Sequence, residues 1–116
     1  MDTVFSKIIT GEIPAEKLYE DEHCIVIPDI TPAAPVHVLV IPKKPLTMLS
    51  SVDESDKALL GHLMLVVTKM ADQLGVADGY RVIINNGSGG GQTVFHLHIH
   101  IIAGFEMKEL SLIHIS

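Results

Sequence analysis

Residues 96–102, His-Leu-His-Ile-His-Ile-Ile, form an alternating run that strongly limits how this chain can fold. In a β-strand, successive side chains point to opposite faces, so His96, His98 and His100 are expected to share one face while the apolar residues enter a core. Just before the run, residues 87–91 read Gly-Ser-Gly-Gly-Gly. Glycines adopt positive φ easily, and such a loop can turn several N–H groups towards one anion. The sequence therefore predicts a phosphate-binding loop that leads into a row of imidazoles.

Two kinds of site could explain the histidine row. Same-face residues on a strand lie roughly 6.5–7 Å apart, so three of them would reach a single metal ion only with strain. Zinc would also need further ligands, and Cys24 is the one cysteine of the chain. Metal binding would leave the glycines unexplained, whereas nucleophilic attack on phosphorus by a neutral imidazole uses both features. We therefore expect phosphate chemistry without a metal or another cofactor.

Length and composition exclude several classes of protein. A chain of 116 residues is typical of one domain, and it buries only a modest core alone. Hydrophobic residues make up 47%, but no apolar run approaches the ~18–20 residues of a membrane span, so the apolar excess favours a subunit interface. The net charge of −6 argues against nucleic acid or an anionic membrane as partner. The single cysteine and the absence of a signal-peptide pattern predict a cytoplasmic protein.

Local patterns predict an α+β domain. A short helix should follow Thr3 as N-cap and stop at Gly11, and a long one should begin at the Ser51–Glu54 capping box and end at Gly75. Strands are predicted over residues 17–20, 24–28, 37–42, 80–85 and 96–102. The long helix is apolar around more than half its circumference, so we expect it to pack on its own sheet and on a second copy of the chain.

The histidine run is similar to the His-φ-His-φ-His-φ-φ signature of the histidine triad (HIT) superfamily. Residues 29–44 and 75–92 resemble the corresponding segments of its Hint branch, the histidine triad nucleotide-binding proteins, and the similarity extends over residues 3–104. The resemblance implies a HIT-like fold that dimerises, with a mainly antiparallel sheet of about five strands and two helices, in a single HIT domain at residues 1–104. Residues 105–116 form a divergent C-terminal tail, because Phe105-Glu106 replaces the Gly-Gly-Arg-Gln common in that branch and no tryptophan follows.

The resemblance also implies roles for individual residues. His98 would attack the α-phosphorus of an adenosine 5′-phosphoramidate, or of an aminoacyl-adenylate, and release AMP through a nucleotidyl-histidine intermediate. His100 would stabilise charge on the phosphoryl oxygens, and His37 and His96 would support proton transfer. The purine nucleotide would be held by the base contacts Phe5, Ile8 and Ile27, the ribose contacts Asp29 and Ile30, and the phosphate contacts Asn85, Gly91, Gln92 and Thr93.

Three other functions stay open at this point. A dinucleoside polyphosphate hydrolase of the same superfamily would use the same histidines with a different leaving group. A nucleotidyl transferase needs a larger acceptor site than a chain of this length readily provides. A regulatory or scaffold module could bind the nucleotide with incidental catalysis. The divergent tail leaves the leaving-group preference undetermined.

Overall fold

The computed structural model describes residues 2–104, and one antiparallel sheet organises this part of the chain. Its strands are β1 Tyr19–Glu20, β2 Cys24–Pro28, β3 Val36–Pro42, β4 Arg81–Ile83 and β5 Ile99–Ala103, in the spatial order β1-β2-β3-β5-β4. Every neighbouring pair is antiparallel. In the centre of the sheet, β3 lies against β5 with Leu39 opposite His100 and His37 opposite Ile102. The predicted α+β class, with five strands and two helices, is confirmed.

The two helices are α1 Val4–Thr10 and α2 Lys57–Gln73, and short 3₁₀ turns lie at Leu49–Ser51, Glu54–Asp56 and Ser88–Gly90. Thr3 caps α1 as predicted, because its hydroxyl accepts the Ser6 N–H at 3.2 Å. The capping box predicted at Ser51 is wrong. Ser51 ends the first 3₁₀ turn, and Asp53 caps the second one, which runs directly into α2.

The helices cover opposite faces of the sheet. Helix α2 packs its buried residues on one face, in a cluster of Cys24, Val26, Val38, Val40, Leu63, Val66, Val67, Met70, Ile99 and Ile101. Helix α1 covers the other face, where Phe5 and Ile8 pack with Ile25, Ile27, Leu39 and Ile41. Because side chains alternate along a strand, His37 lies on the same face as Leu39. His100 pairs with Leu39 across β3 and β5, so it lies on that face too. The histidines of the central strands therefore face α1.

The start of the last strand differs from the prediction. Strand β5 begins at Ile99, so His96 and His98 precede it. The N–H of Leu97 donates to the carbonyl of Leu46 at 2.7 Å, which ties this stretch to the connection after β3 instead of to a neighbouring strand. The expectation that three histidines share one strand face is consequently wrong, although all three side chains are buried.

Apolar side chains remain exposed on α2 and on the edge strand β4. Leu65 is 69% exposed, Met64 41% and Val82 42%. Within residues 2–104, no helix has the length and apolarity needed to cross a membrane. The predicted tail, residues 105–116, lies outside the described part of the chain.

Candidate active site

A cavity of about 250 Å³ opens between α1, the end of β2 and the approach to β5. Its wall is mostly apolar, which is usual for small-molecule sites. The apolar lining comprises Val4, Phe5, Ile8, Ile27, Pro28, Ile30, Leu39 and Val94. The polar lining comprises Asp29, Thr31, Thr93, His98 and His100. The cavity thus joins an apolar compartment to two imidazoles and one carboxylate.

The orientation of His98 is fixed by a backbone group. Its Nδ1 lies 2.8 Å from the carbonyl oxygen of His96, and since a carbonyl only accepts, Nδ1 carries the proton. In the neutral ring Nε2 is therefore the nitrogen with the lone pair. The imidazole is buried and contacts the rings of Phe5 and His100 edge-on, with centroids 4.9 and 5.0 Å away. The ring of His98, a residue of the cavity wall, is therefore fixed with Nε2 as the nitrogen that can act as a nucleophile.

His37 orients His100 from behind. The N–H of Ala33 donates to His37 Nδ1 at 3.0 Å, so the proton of neutral His37 sits on Nε2. That nitrogen lies 2.9 Å from His100 Nδ1 and donates to it. His100 then carries its own proton on Nε2. The chain of bonds from Ala33 through His37 makes His100 a hydrogen-bond donor at its other nitrogen.

Asp29 lies beside the same pair. Its Oδ2 is 3.4 Å from His37 Nε2, while its Oδ1 accepts the N–H of Thr31 at 2.8 Å. Burial lowers the pKa of His37, and the nearby Asp29 carboxylate opposes this only in part. His37 is therefore neutral at pH 7, with an acceptor close enough to stabilise a transient charge.

The ring of His96 points elsewhere. Its Nε2 donates to the carbonyl of Pro42 at 2.7 Å, and the ring lines a second cavity with Pro45, Thr47 and Phe95. Burial lowers its pKa, although the bond to Pro42 raises it in part. The carbonyl oxygen of His96 orients His98 in the first cavity. The imidazole of His96 does not line that cavity.

The glycine loop is closed on itself. The N–H groups of Gly90 and Gln92 donate to the carbonyl of Gly87 at 3.0 Å, and that of Gly91 donates to Ser88. Gly87 and Gly91 have φ of 74° and 91°, which allows this tight turn. The expectation that these N–H groups converge on an anion is wrong for the three that are bonded within the loop.

The Gln92 side chain holds this loop in place. It is buried, its Oε1 accepts the Gly87 N–H at 2.8 Å, and its Nε2 donates to the carbonyls of Thr47 and Val94 at 2.9 Å. The amide is thus occupied by the protein and does not reach a phosphate in this arrangement. The sequence indicated a polar residue after the glycines. Its contacts could not be predicted, because one of them is the carbonyl of Thr47, 45 residues earlier in the chain.

The structure brings together most of the predicted site residues and leaves others outside. Those that line the first cavity are Phe5, Ile8, Ile27, Asp29, Ile30, Thr93, His98 and His100. His37 lies directly behind them, whereas Asn85, Gly91, Gln92 and His96 are not in the cavity wall. Sequence reasoning missed five residues of the wall, namely Val4, Pro28, Thr31, Leu39 and Val94. Leu39 could have been found, because it shares a strand face with His37.

Asp29, His37 and His100 also offer three potential metal ligands, whose donor atoms lie within 4.8 Å of one another. In the arrangement seen, the facing nitrogens of His37 and His100 are used by their mutual hydrogen bond. The hydrogen-bonded geometry therefore suits proton movement without requiring an ion.

Comparison with known proteins decides the family, since a model of the HIT domain matches residues 10–107. The chain belongs to the HIT domain family. This HIT protein is 57% identical over 103 residues to an uncharacterized HIT-like protein from Synechocystis, a match that covers 89% of this chain and 90% of the relative.

Solved structures agree with that assignment. A HIT family hydrolase from Legionella pneumophila is similar with a TM-score of 0.91 and 39% identity, over 94% of this chain and 98% of the other. A histidine triad nucleotide-binding protein from Candida albicans is similar with a TM-score of 0.79 and 31% identity, over 95% of this chain and 87% of the other. The fold and the family predicted from the histidine run are thus confirmed.

Proposed function

We propose that this HIT protein is a nucleotide-binding hydrolase of the Hint branch that cleaves the P–N bond of adenosine 5′-phosphoramidates and releases AMP. The observation that carries the proposal is the hydrogen bond from His98 Nδ1 to the His96 carbonyl, which leaves the Nε2 lone pair of a buried ring in the cavity wall. A neutral imidazole so oriented is a suitable nucleophile for phosphorus.

The reaction proceeds in two displacements. His98 Nε2 forms a bond to the α-phosphorus as the P–N bond breaks, and the departing amine nitrogen takes up a proton from solvent. The His96 carbonyl stabilises the positive charge that develops on the nucleotidyl-imidazole, since Nδ1–H stays bonded to it. Water then attacks the same phosphorus, the His98–phosphorus bond breaks, AMP leaves with the water oxygen, and one water proton returns to solvent.

His100 stabilises the negative charge on the phosphoryl oxygens. Its proton lies on Nε2 because His37 donates to Nδ1, so the ring acts as a donor in the transition state. Charge that reaches the His37–His100 pair is stabilised by Asp29, 3.4 Å from His37. This chain of residues connects the cavity to the surface through a half-buried carboxylate.

The nucleoside occupies the apolar part of the cavity. Phe5, Ile8 and Ile27 contact the purine, and Asp29 and Ile30 lie where they would meet the ribose. Thr93 supplies its hydroxyl to the phosphate. Gln92 and Gly91, expected as direct contacts, act here by shaping the loop that precedes Thr93. Asn85 stays a predicted contact.

The test is hydrolysis of a fluorogenic adenosine phosphoramidate in the presence of EDTA. We expect turnover by the wild type and a loss of at least about 10³-fold in His98→Ala, with AMP affinity kept within a few-fold. A dinucleoside polyphosphate measured in parallel would identify a different leaving-group preference if it were cleaved faster. Turnover in His98→Ala close to that of the wild type would exclude the covalent mechanism, and absent turnover with tight AMP binding would favour a regulatory role.

The assembly and location complete the proposal. The exposed Leu65 and Met64 of α2 and Val82 of β4 fit a two-fold homodimer. The expected cytoplasmic location stays a prediction, as do the absence of nucleic acid and membrane partners and the boundary between the domain at residues 1–104 and the tail at 105–116.

A further inference from the structure

A second cluster of potential metal ligands lies on the opposite face of the sheet from the candidate active site. Asp21 lies in the turn between β1 and β2, Cys24 is the first residue of β2, and His62 comes from α2. One donor atom from each lies within 4.8 Å of the other two. The closest pair is Asp21 Oδ2 and His62 Nε2, which are 2.7 Å apart.

The carboxylate of Asp21 is held in its orientation by the turn itself. Its Oδ1 accepts the backbone N–H groups of His23 and Cys24 at 2.7 and 2.9 Å, and its Oδ2 accepts the hydroxyl of Tyr19 at 2.8 Å. These bonds keep the pKa of Asp21 well below its usual range, although burial opposes them. Hydrogen bonds of this kind orient the ligands of known metal centres.

We propose that Asp21, Cys24 and His62 bind a thiophilic divalent cation such as Zn²⁺, with the fourth position taken by water or by His23. The His23 ring is exposed and stands edge-on to His62, with centroids 5.1 Å apart. Donor atoms of a tetrahedral zinc site lie roughly 3.3–3.8 Å from one another. The Asp21 and His62 donor atoms must therefore move apart by at least about 0.6 Å, which the partly exposed His62 side chain can accommodate.

Two charges of the ion are balanced by the carboxylate of Asp21 and the thiolate of Cys24. As the metal–sulfur bond forms, the thiol proton passes to solvent, and His62 binds as the neutral ring. Because sulfur and imidazole nitrogen are two of the three ligand atoms, Zn²⁺ and Co²⁺ should bind, and Mg²⁺, which prefers oxygen ligands, should not.

The experiment uses Co²⁺ as a probe of the full chain freed of metal. Because Cys24 is the one cysteine in the sequence, an ultraviolet cobalt–thiolate charge-transfer band reports this site alone. We expect the band to saturate near one Co²⁺ per chain, to be displaced by Zn²⁺ and to survive an excess of Mg²⁺. His62→Gln should weaken Co²⁺ binding by about 10–100-fold, and Cys24→Ser should abolish the band.

His37→Gln is the matched control, because it disrupts the other group of potential ligands, Asp29, His37 and His100, and should leave the band unchanged. His62 is partly exposed, so its variant tests the site even if the buried Cys24→Ser variant fails to fold. The proposal is overturned if excess Co²⁺ gives no thiolate band, or if His62→Gln binds Co²⁺ as tightly as the wild type. Asp21 and His62 would then serve only as an ion pair between the turn and α2.

Discussion

At the scale of single residues, three of the four site histidines have the position of their ring proton set by a backbone group. The carbonyl of Pro42 does this for His96, the carbonyl of His96 for His98, and the N–H of Ala33 for His37. Because His37 then donates to His100, the tautomer of His100 follows as well. The chemistry of the site is therefore determined by backbone geometry as much as by the identity of the side chains.

His37→Ala should lower kcat by about 10–100-fold while leaving AMP affinity nearly unchanged, because His100 would lose the donor that fixes its tautomer. Steady-state kinetics and calorimetric titration with AMP separate the two effects. His23→Ala, a change of an exposed histidine outside the cavity, is the control and should retain wild-type kcat. An unchanged kcat in His37→Ala would show that His100 does not depend on it.

Gly104→Ala should destabilise the domain by about 2 kcal/mol. Gly104 has φ of 103°, and an added Cβ would lie 2.9 Å from Pro35 Cβ, well inside normal contact distance. Gly61→Ala in α2 meets no atom within 4 Å and should be neutral or stabilising by up to about 1 kcal/mol. Urea denaturation of both variants provides the measurement, and equal midpoints would contradict the prediction.

At the scale of elements, the glycine loop depends on the single buried amide of Gln92. That amide bonds to both ends of the loop, through Gly87 and Val94, and to Thr47 in the connection after β3. The loop reaches the cavity wall only through Thr93 and Val94, immediately after this anchor. Its rigidity is therefore supplied from outside the glycine run.

Gln92→Leu should destabilise the protein by about 2–3 kcal/mol, because three backbone groups lose their partner in a buried place. Turnover should fall as well, since Thr93 is no longer held. Gln92→Glu keeps the oxygen that accepts from Gly87 and loses the two donated bonds. Thermal unfolding of both variants measures the change. A melting temperature of Gln92→Leu equal to that of the wild type would contradict the prediction.

Elements whose signal is local were predictable from the sequence. The Thr3 cap and the Gly11 stop define α1, and β-branched runs define β2 and β3. Strand β5 begins later than its alternation suggests, because Leu97 bonds to Leu46, a contact across 51 positions of sequence. The places of His98 and His100 in the cavity followed from the resemblance of the histidine run to the family signature, since the alternation alone also included His96, whose ring lies elsewhere. The roles of Gln92 and the grouping of Asp21 with His62 were not predictable, because their partners come from distant loops and helices.

At the scale of the whole molecule, acid affects the stability contributed by His37 and His96 before it affects that of the carboxylates. Burial lowers the pKa of His37 and of His96, so the folded state binds fewer protons than the unfolded chain, in which histidine titrates near about 6.5. Stability is therefore full above that value and declines as the pH falls through it. Carboxylates whose pKa is lowered by folding add their own loss only at more acidic pH.

Between pH 7.5 and 5.5 the free energy of unfolding should fall by up to about 1.4 kcal/mol for each of His37 and His96 that stays neutral in the folded state while it is protonated in the unfolded chain. Urea denaturation at both pH values measures the change. His96→Gln, which can still donate to Pro42, should show a smaller decrease. A stability that is unchanged or higher at pH 5.5 would contradict the lowered pKa values.

Leu65→Glu should convert the proposed dimer to a monomer, because it places a charge on an α2 side chain that is 69% exposed in the single chain. Light scattering after size-exclusion chromatography reports the mass. Lys57→Glu, an exposed change at the start of the same helix, should leave the mass unaltered. A wild type that is monomeric at all concentrations would exclude the dimer.

The pairing of β3 with β5 has a kinetic consequence. His37 and His100 are 63 positions apart in the sequence, and the strands that carry them meet only when the long intervening segment has been closed into a loop. Contacts this distant form late during folding, since the entropy of loop closure must be overcome first. The return of catalytic turnover after dilution from denaturant should accordingly lag behind the recovery of α-helical circular dichroism, and a fragment that ends before β5 should regain none.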